Sequence, residues 1–137
     1  MKKILLLLGA VWLSSSAYAV PATVDYIFDG DTFSAGVNIA PDIVITVRVR
    51  LINVDTPEMN GACADEIRRA NIAKNRLEDL LPVGEIVDLQ NVKDDKYLGR
   101  IDANVILPDG RDVGDVLVAE GLARPYNGGK RKPWCEN

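Results

Sequence analysis

Alternating apolar and polar positions along this 137-residue chain predict five β-strands. Successive side chains of a strand point to opposite faces, so a strand with one buried face shows an apolar residue at every second position. Such segments cover residues 23–28, 32–39, 43–54, 86–92 and 100–107. In the first of them we expect Val24, Tyr26 and Phe28 to share one face.

Two other segments have the spacing of amphipathic helices. Over residues 64–81, apolar side chains recur every three or four positions, which places them on one face of a helix. These positions are Ile67, Ala70, Ala73, Leu77, Leu80 and Leu81, with Asp65, Glu66, Arg68, Arg69 and Lys74 on the solvent side. Pro82 and Gly84 end this helix, and Asp112 is the predicted N-cap of a shorter helix over residues 113–120.

This order of elements favours a small barrel. Three strands, a helix, two strands and a short C-terminal helix fit the OB-fold, a five-stranded and partly open β-barrel. A two-layer α+β arrangement is the alternative, and the absence of βαβ alternation argues against a parallel α/β sheet. We expect one mainly β domain with these two helices over residues 20–137.

The first nineteen residues have the pattern of a secretory signal peptide. Lys2 and Lys3 precede an apolar run over residues 4–12, and Ala17-Tyr18-Ala19 is a small-x-small cleavage pattern. A membrane anchor is the alternative, but the run is far shorter than the roughly 20 residues that span a bilayer. We expect cleavage after Ala19 and export to the periplasm or the medium, as a monomer that does not stay in the membrane.

Cleavage would leave an acidic protein. Without Lys2 and Lys3 the chain has 14 basic and 20 acidic residues, a net charge of −6. Nucleic acid is normally bound by clustered Lys and Arg, so this charge disfavours a storage or packaging role. Any binding of nucleic acid must therefore be local, at a small basic site or through a cation that reverses the local charge.

Histidine is absent and cysteine is scarce. The absence of His excludes Ser-His-Asp and Cys-His catalysis and His-ligated zinc sites. The chemistry left to the chain uses carboxylates, Arg, Lys and Tyr, with or without a hard metal bound through oxygen. In an exported chain, the pair Cys63 and Cys135 favours a disulfide, and two free thiols are the alternative.

Two acidic segments are candidates for this chemistry. In Asp29-Gly30-Asp31-Thr32, two carboxylates could face one cation, although Asp-Gly is also a common hairpin turn. In Val54-Asp55-Thr56-Pro57-Glu58, a carboxylate would stand at the end of a strand, at the expected rim of the barrel. The alternative for the second segment is an ordinary cap of the helix that follows.

Basic residues form two further candidates. Arg48 and Arg50 share a face of the third strand, whereas Asp55 would point to the opposite face if that strand were undistorted. A bulge would be needed to bring Arg50 and Asp55 to one site, and a solvated surface is the alternative. The segment Lys96-Tyr97-Leu98-Gly99-Arg100 could hold a phosphate and stack a base, or could form a solvated charged loop.

The order of these segments resembles the staphylococcal nuclease, or thermonuclease, family. Asp-Gly-Asp-Thr, an Arg-bearing strand, Val-Asp-Thr-Pro-Glu, a helix, Asp-Lys-Tyr…Gly-Arg, Asp-Gly and Gly-Leu-Ala follow one another over nearly all of the chain after the leader. The resemblance implies an OB-fold and Ca²⁺-dependent hydrolysis of DNA and RNA with little sequence preference. It also implies products with 3′-phosphates and 5′-hydroxyls.

The same resemblance implies roles for particular residues. Asp31, Asp55 and the backbone carbonyl of Thr56 would bind Ca²⁺, with Asp29 in or near the same shell. Glu58 would be the general base, Arg50 and Arg100 would clamp the phosphate, and Lys96, Tyr97 and Tyr126 would position the nucleic acid. A non-catalytic OB-fold module that binds nucleic acid is the main alternative, and a calcium-stabilised structural domain is a third.

Two features depart from the family pattern. Leu98 stands before Gly99 where the family has Asp-Lys-Tyr-Gly-Arg, so Arg100 could be shifted along the turn. The family prototype also continues into a C-terminal helix, whereas this chain has a Gly- and Pro-containing tail that carries Cys135. Tyr126 lies one residue closer to Gly-Leu-Ala than the corresponding tyrosine of the family prototype, so it matches the family pattern only loosely.

Overall fold

A computed structural model describes residues 18–136 of the chain. The predicted signal peptide therefore lies outside the described residues, apart from Tyr18 and Ala19 at its end. In chain order the elements are β1 (Val20–Ile27), β2 (Thr32–Ala40), β3 (Ile43–Leu51), β4 (Val54–Asp55), α1 (Ala64–Leu80), β5 (Ile86–Asp94), β6 (Arg100–Ile106), α2 (Val113–Ala119) and β7 (Arg124–Pro125). No helix in this part of the chain is both long and apolar enough to cross a membrane.

Five of the strands close into a barrel in the order β1-β2-β3-β6-β5. Neighbouring strands are antiparallel except β3 and β6, which run parallel. A parallel pair needs a crossover connection, which α1 and β5 supply here. Phe33, Leu51 and Leu89 are among the side chains that fill the barrel and are fully buried. This arrangement confirms the predicted OB-fold.

The third strand is shorter than predicted. β3 ends at Leu51, and Asn53 has a φ of 62°, in the left-handed region, so the chain turns out of the sheet. Val54 and Asp55 then form β4, which pairs with β7 in a separate two-stranded sheet. The prediction that one strand runs through residue 54 is therefore wrong. A turn, and not a bulge within a strand, reorients the chain between Arg50 and Asp55.

The first strand contains an irregularity that simple alternation did not predict. Its pairing with β2 shifts register between Val24 and Tyr26. As a result Val24 and Ile27 are buried, while Tyr26 is exposed. The prediction that Val24 and Tyr26 share a face is wrong, because the extra residue of a bulge reverses the side-chain direction.

Helix α1 is confirmed, but its first turn differs from the prediction. Ile67, expected on the buried face, is 38% exposed, and Glu66, expected in solvent, is 7% exposed. The Glu66 carboxylate accepts hydrogen bonds from the backbone amides of Glu58 (3.0 Å) and Ala62 (3.1 Å). A polar side chain is buried here because it satisfies amides of the loop that precedes the helix.

A disulfide joins Cys63, the residue that precedes α1, to Cys135 near the C-terminus. It ties the tail to the same loop that Glu66 holds. The two cysteines are 72 residues apart, so the bridge restricts a long loop of the unfolded chain. Loop-closure entropy then stabilises the folded state by roughly 4 kcal/mol.

Removing this bridge should lower stability and leave the barrel intact. We expect Cys63→Ser/Cys135→Ser to reduce the free energy of unfolding by up to roughly 4 kcal/mol, because the unfolded chain regains conformational freedom. Urea unfolding followed by circular dichroism measures the difference. Reduction of the wild-type protein should reproduce it, and a reductant should not affect the double variant. Equal stability of the oxidised and reduced protein would contradict this prediction.

Candidate active site

A polar cleft of about 450 Å³ lies where the β1–β2 turn, the end of β3, the β5–β6 turn and the C-terminal tail come together. It is lined by Asp29, Asp31, Thr32, Arg50, Glu58, Asp95, Lys96, Tyr97, Arg100, Asp102, Tyr126 and Arg131. Most of the site residues predicted from the sequence are therefore brought together. Asp55 and Thr56 are absent from the lining and are buried.

Asp29 and Asp31 hold negative charge close together in the β1–β2 turn. The Asp31 amide donates to Oδ1 of Asp29 (3.0 Å), and the Thr32 hydroxyl donates to Oδ1 of Asp31 (2.8 Å). Burial raises the pKa of Asp29 to about 7, and the charge and side chain of Asp31 and the charge of Glu58 act in the same direction, against the hydrogen bond from the Asp31 amide. A cation bound beside such crowded carboxylates would lower their electrostatic free energy.

Gly30 allows this turn to pack directly against helix α1. A β-carbon at Gly30 would lie 2.8 Å from Cβ of Ala73 and 3.3 Å from Cβ of Thr56. Both distances are shorter than ordinary van der Waals contacts, so any side chain would push the turn away from the helix. The glycine is needed for close approach and sets where Asp29 and Asp31 lie relative to Thr56.

Arg50 lies beside the same turn. Its Nη2 atom is 3.8 Å from Oδ2 of Asp31. The guanidinium also donates from Nη1 to the carbonyl of Leu51 (3.3 Å) and from Nη2 to the carbonyl of Val54 (3.2 Å). These two carbonyls flank the turn at Asn53. The turn that separates β3 from β4 therefore also holds Arg50 toward the cleft.

Leu98 does not remove Arg100 from the cleft. The Leu98 side chain is fully exposed in the β5–β6 turn, and Gly99 has a φ of 78°. Arg100 begins β6 in register with Arg48 of β3, and its guanidinium lies 4.5 Å from the ring centre of Tyr97. The turn absorbs the extra residue because glycine adopts a positive φ without steric cost.

The C-terminal tail adds an arginine that the sequence did not single out. Arg131 donates from Nε to Oδ1 of Asp55 (2.7 Å). It also donates from Nη2 to the carbonyl of Thr56 (3.1 Å) and from Nη1 to Oε1 of Glu58 (2.6 Å). Burial alone would lower the pKa of Arg131, but these partners raise it, so the guanidinium stays charged. In the sequence, this arginine is marked only by its place in a short run of basic residues before Cys135.

Asp55 is enclosed by the tail. It lies on β4 opposite Arg124 of β7, and its side chain is 4% exposed. Its Oδ2 atom accepts a hydrogen bond from the indole Nε1 of Trp134 (3.2 Å), while Oδ1 accepts from Arg131. Both carboxylate oxygens of Asp55 therefore bond to donors of the tail.

Comparison with protein families agrees with this geometry. The family model described as staphylococcal nuclease homologue matches residues 48–135, more than half of the chain. The chain belongs to the staphylococcal nuclease family. No curated protein matches it at a significant level. The matched part of this nuclease-family domain includes Arg50, Glu58 and Arg131, whereas the turn with Asp29 and Asp31 precedes it.

The donor atoms of this nuclease-family site suit a hard cation. Carboxylate oxygens of Asp31 and Asp55 and the carbonyl of Thr56 are the kind of ligand that Ca²⁺ takes in proteins. Burial, with a smaller contribution from the charges of Asp31 and Glu58, raises the pKa of Asp29, so a cation beside the turn would favour the ionised carboxylate. Within residues 18–136, no three Asp, Glu or Cys side chains are close enough together to hold a metal. The oxygen atoms of Asp31, Asp55 and Thr56 are of the kind that Ca²⁺ prefers. Arg131, however, contacts two of these groups, Asp55 and Thr56.

Two aspartates that the sequence did not single out complete the cleft of the nuclease-family domain. Burial, with the hydrogen bond and charge of Asp95, raises the pKa of Asp102 to about 6, against the opposing charges of Arg50 and Arg100. Burial also acts to raise the pKa of Asp95, but the nearby Arg100 guanidinium, the Asp102 side chain and the hydrogen bond from the Tyr97 amide bring it to about 2. The two carboxylates therefore influence one another, and the pKa of Asp102 is raised while that of Asp95 is lowered.

Replacing Gly30 should disturb the packing of the turn on α1. We expect Gly30→Ala to lower the free energy of unfolding by about 1–3 kcal/mol, because the new methyl group overlaps Ala73. Gly36→Ala is the matched control, since its added β-carbon would meet only the side chain of Val44, at 3.1 Å. Thermal unfolding of both variants makes the comparison. A Gly30→Ala protein as stable as Gly36→Ala would contradict the close approach.

The Asp95–Asp102 pair predicts a pH-dependent stability. The folded pKa of Asp102, about 6, lies above the ordinary value of 3.8, so its contribution to stability is lost as the pH rises through about 6. The Asp102→Asn substitution removes the ionisable group. The free energy of unfolding of this variant should therefore increase relative to that of the wild type between about pH 4 and 7. We expect on the order of 1 kcal/mol, because solvent screens the site. Urea unfolding at several pH values measures it, and a pH-independent difference would contradict it.

Proposed function

We propose that this chain is a Ca²⁺-dependent phosphodiester hydrolase. It would cleave DNA and RNA with little sequence preference and leave 3′-phosphate and 5′-hydroxyl ends. The observation that supports this most strongly is one cleft that combines the carboxylates of Asp31 and Glu58 with the guanidiniums of Arg50 and Arg100. Hydrolysis of an anionic diester needs positive charge to hold the phosphate and a base to activate water.

Arg50 and Arg100 are suited to hold the scissile phosphate. A guanidinium presents a planar fork of donors that matches phosphate oxygens. Arg50 is anchored by two backbone carbonyls, and Nε of Arg100 lies 2.9 Å from Oδ2 of Asp95. Anchored donors need little reorganisation as negative charge develops, so both arginines can stabilise the transition state.

Calcium would be held by Asp31, Asp55 and the carbonyl of Thr56, with Asp29 close by. When bound, it would polarise a phosphoryl oxygen of the substrate. The proximity of Asp29 and Asp31 in the β1–β2 turn supports this assignment, because a cation would offset the repulsion between their charges.

Glu58 is suited to remove the proton from the attacking water. Its side chain is 50% exposed and reaches the cleft from the loop that precedes α1. The Glu66 carboxylate holds the Glu58 amide at 3.0 Å, which restrains the loop. A carboxylate is the base that a histidine-free chain can offer.

Exposed aromatic and basic side chains would position the nucleic acid. Tyr97 is 56% exposed, and the ammonium of Lys96 lies 5.2 Å from its ring centre. Tyr126 lines the same cleft, with its hydroxyl donating to the carbonyl of Gly129 (2.6 Å). Stacking on an aromatic ring does not depend on base identity, which supports low sequence preference.

We also propose that the protein acts outside the cytosol, as a monomer, after removal of residues 1–19. The disulfide between Cys63 and Cys135 supports this location, because disulfides persist in oxidising compartments. The leader-like pattern of the first nineteen residues supports it independently.

Replacing the base should distinguish an enzyme from a module that only binds nucleic acid. With Ca²⁺, the wild-type protein should hydrolyse single-stranded DNA, and EGTA should abolish the activity. Glu58→Gln should lower kcat about 10²–10⁴-fold and leave DNA affinity almost unchanged, because the proton acceptor is lost while the arginines remain. Hydrolysis of a labelled oligonucleotide and fluorescence anisotropy measure the two quantities.

Glu78→Gln is the matched control for this experiment. Glu78 is an exposed glutamate of α1 whose carboxylate lies 4.0 Å from Lys74 and does not line the cleft. Its substitution should leave kcat unchanged. A wild-type protein that binds DNA but shows no calcium-dependent hydrolysis would support the binding module and contradict the enzyme.

A further inference from the structure

Arg131 contacts the groups that the proposed function assigns to calcium and to the base. Its Nε atom lies 2.7 Å from Oδ1 of Asp55, and its Nη2 atom lies 3.1 Å from the carbonyl of Thr56. Its Nη1 atom lies 2.6 Å from Oε1 of Glu58. One guanidinium thus meets two of the three oxygen groups that would hold the metal, and also the proposed base.

A guanidinium and Ca²⁺ on the same oxygens would be two cations in close proximity, so their mutual repulsion makes each bind more weakly in the presence of the other. Both are cations that neutralise carboxylates, and Ca²⁺ needs its oxygen ligands at 2.3–2.6 Å. The other oxygen of Asp55 accepts a hydrogen bond from Trp134, so donors of the tail contact both oxygens of this carboxylate. Calcium therefore binds Asp55 and Thr56 more favourably when Arg131 has left them.

The tail that carries Arg131 is fastened on both sides of this residue. Before Arg131, the strand β7 pairs with β4, and the amide of Tyr126 donates to the carbonyl of Asn53 (2.8 Å). After Arg131, Nη1 of Arg124 donates to the carbonyls of Lys132 (3.3 Å) and Pro133 (3.1 Å), and the disulfide fixes Cys135 to Cys63. The contacts of Arg131 therefore belong to a fixed strap, which we define as residues 124–135.

We propose that Arg131 is an internal cation that competes with calcium for Asp55, Thr56 and Glu58. In the calcium-free protein it neutralises the buried carboxylate of Asp55 and occupies Glu58. Calcium binding displaces its guanidinium, so the strap sets the calcium concentration at which the site forms. This inference rests on the proposed calcium site, and it adds a competitor that the family resemblance did not imply.

Competition has a quantitative consequence for calcium affinity. When a ligand binds only one of two states, the apparent affinity falls by the fraction of molecules in that state. If Arg131 is seated in roughly nine molecules out of ten, the apparent Kd for calcium is about tenfold higher than in a protein without this arginine. Removing the arginine should therefore strengthen calcium binding by about this factor.

Isothermal titration with calcium alone tests the competition. Wild-type protein, Arg131→Gln and Lys132→Gln are compared, and Lys132→Gln is the control because it removes the same charge from the next residue of the strap. We expect Arg131→Gln to bind calcium about tenfold more tightly and Lys132→Gln to stay within about twofold of wild type. Equal affinities for wild type and Arg131→Gln would overturn the proposal. An equal gain in Lys132→Gln would also overturn it, since net charge alone would explain the result.

Absence of calcium binding in all three proteins would overturn the proposed calcium site together with this inference. Calcium binding with equal affinities would overturn the inference alone. The two failures can therefore be told apart.

Thermal unfolding with and without calcium provides a second readout and shows that the variants are folded. Without calcium, Arg131→Gln should melt below wild type, because the buried Asp55 loses its charged partner. Calcium should raise the Tm of Arg131→Gln more than that of wild type, since the ion need not displace an arginine. A variant that melts lower but gains no more from calcium would show that Arg131 is only a structural ion-pair partner, and would overturn the proposal.

Discussion

The parallel pairing of β3 with β6 is the interaction on which the rest of the site depends. It closes the barrel and sets Arg48 beside Arg100 and Arg50 beside Asp102. Arg50 and Arg100, which are far apart in the sequence, thereby reach the same cleft. A slip of one residue in this register would turn one of them to the opposite face of the sheet. The proposed phosphate-binding geometry thus depends on strand register as much as on residue identity.

Charge compensation governs the cleft that this register creates. Asp29, Asp31 and Glu58 bring negative charge together, and this charge adds to the effect of burial in raising the pKa of Asp29. Arg50 approaches Asp31, and Arg131 takes up Asp55 and Glu58. The neighbouring arginines offset the negative charge of these carboxylates within the folded protein.

Residues that touch no substrate support the proposed base and metal ligands. Two residues at the start of α1 hold neighbouring segments in place. Glu66 accepts a hydrogen bond from the amide of Glu58, and Cys63 tethers the tail through its disulfide. Gly30 brings the acidic turn against the same helix. Helix α1 therefore organises the loop, the turn and the tail around one point, although most of its own surface faces solvent or the barrel.

The sequence by itself determined the five barrel strands, the two helices and their order, because alternation, helical spacing and turn chemistry are local properties of the chain. It placed the acidic turn at Asp29–Asp31, and it placed Arg50 and Arg100 on strands that the barrel brings together. The end of β3, the bulge in β1 and the burial of Glu66 depend on partner strands and loops, so only the tertiary structure decided them. The contact of Arg131 with Asp55 joins residues that are 76 positions apart. No local pattern encodes such a contact, because it exists only once the barrel has closed and the disulfide has brought the tail back to the rim.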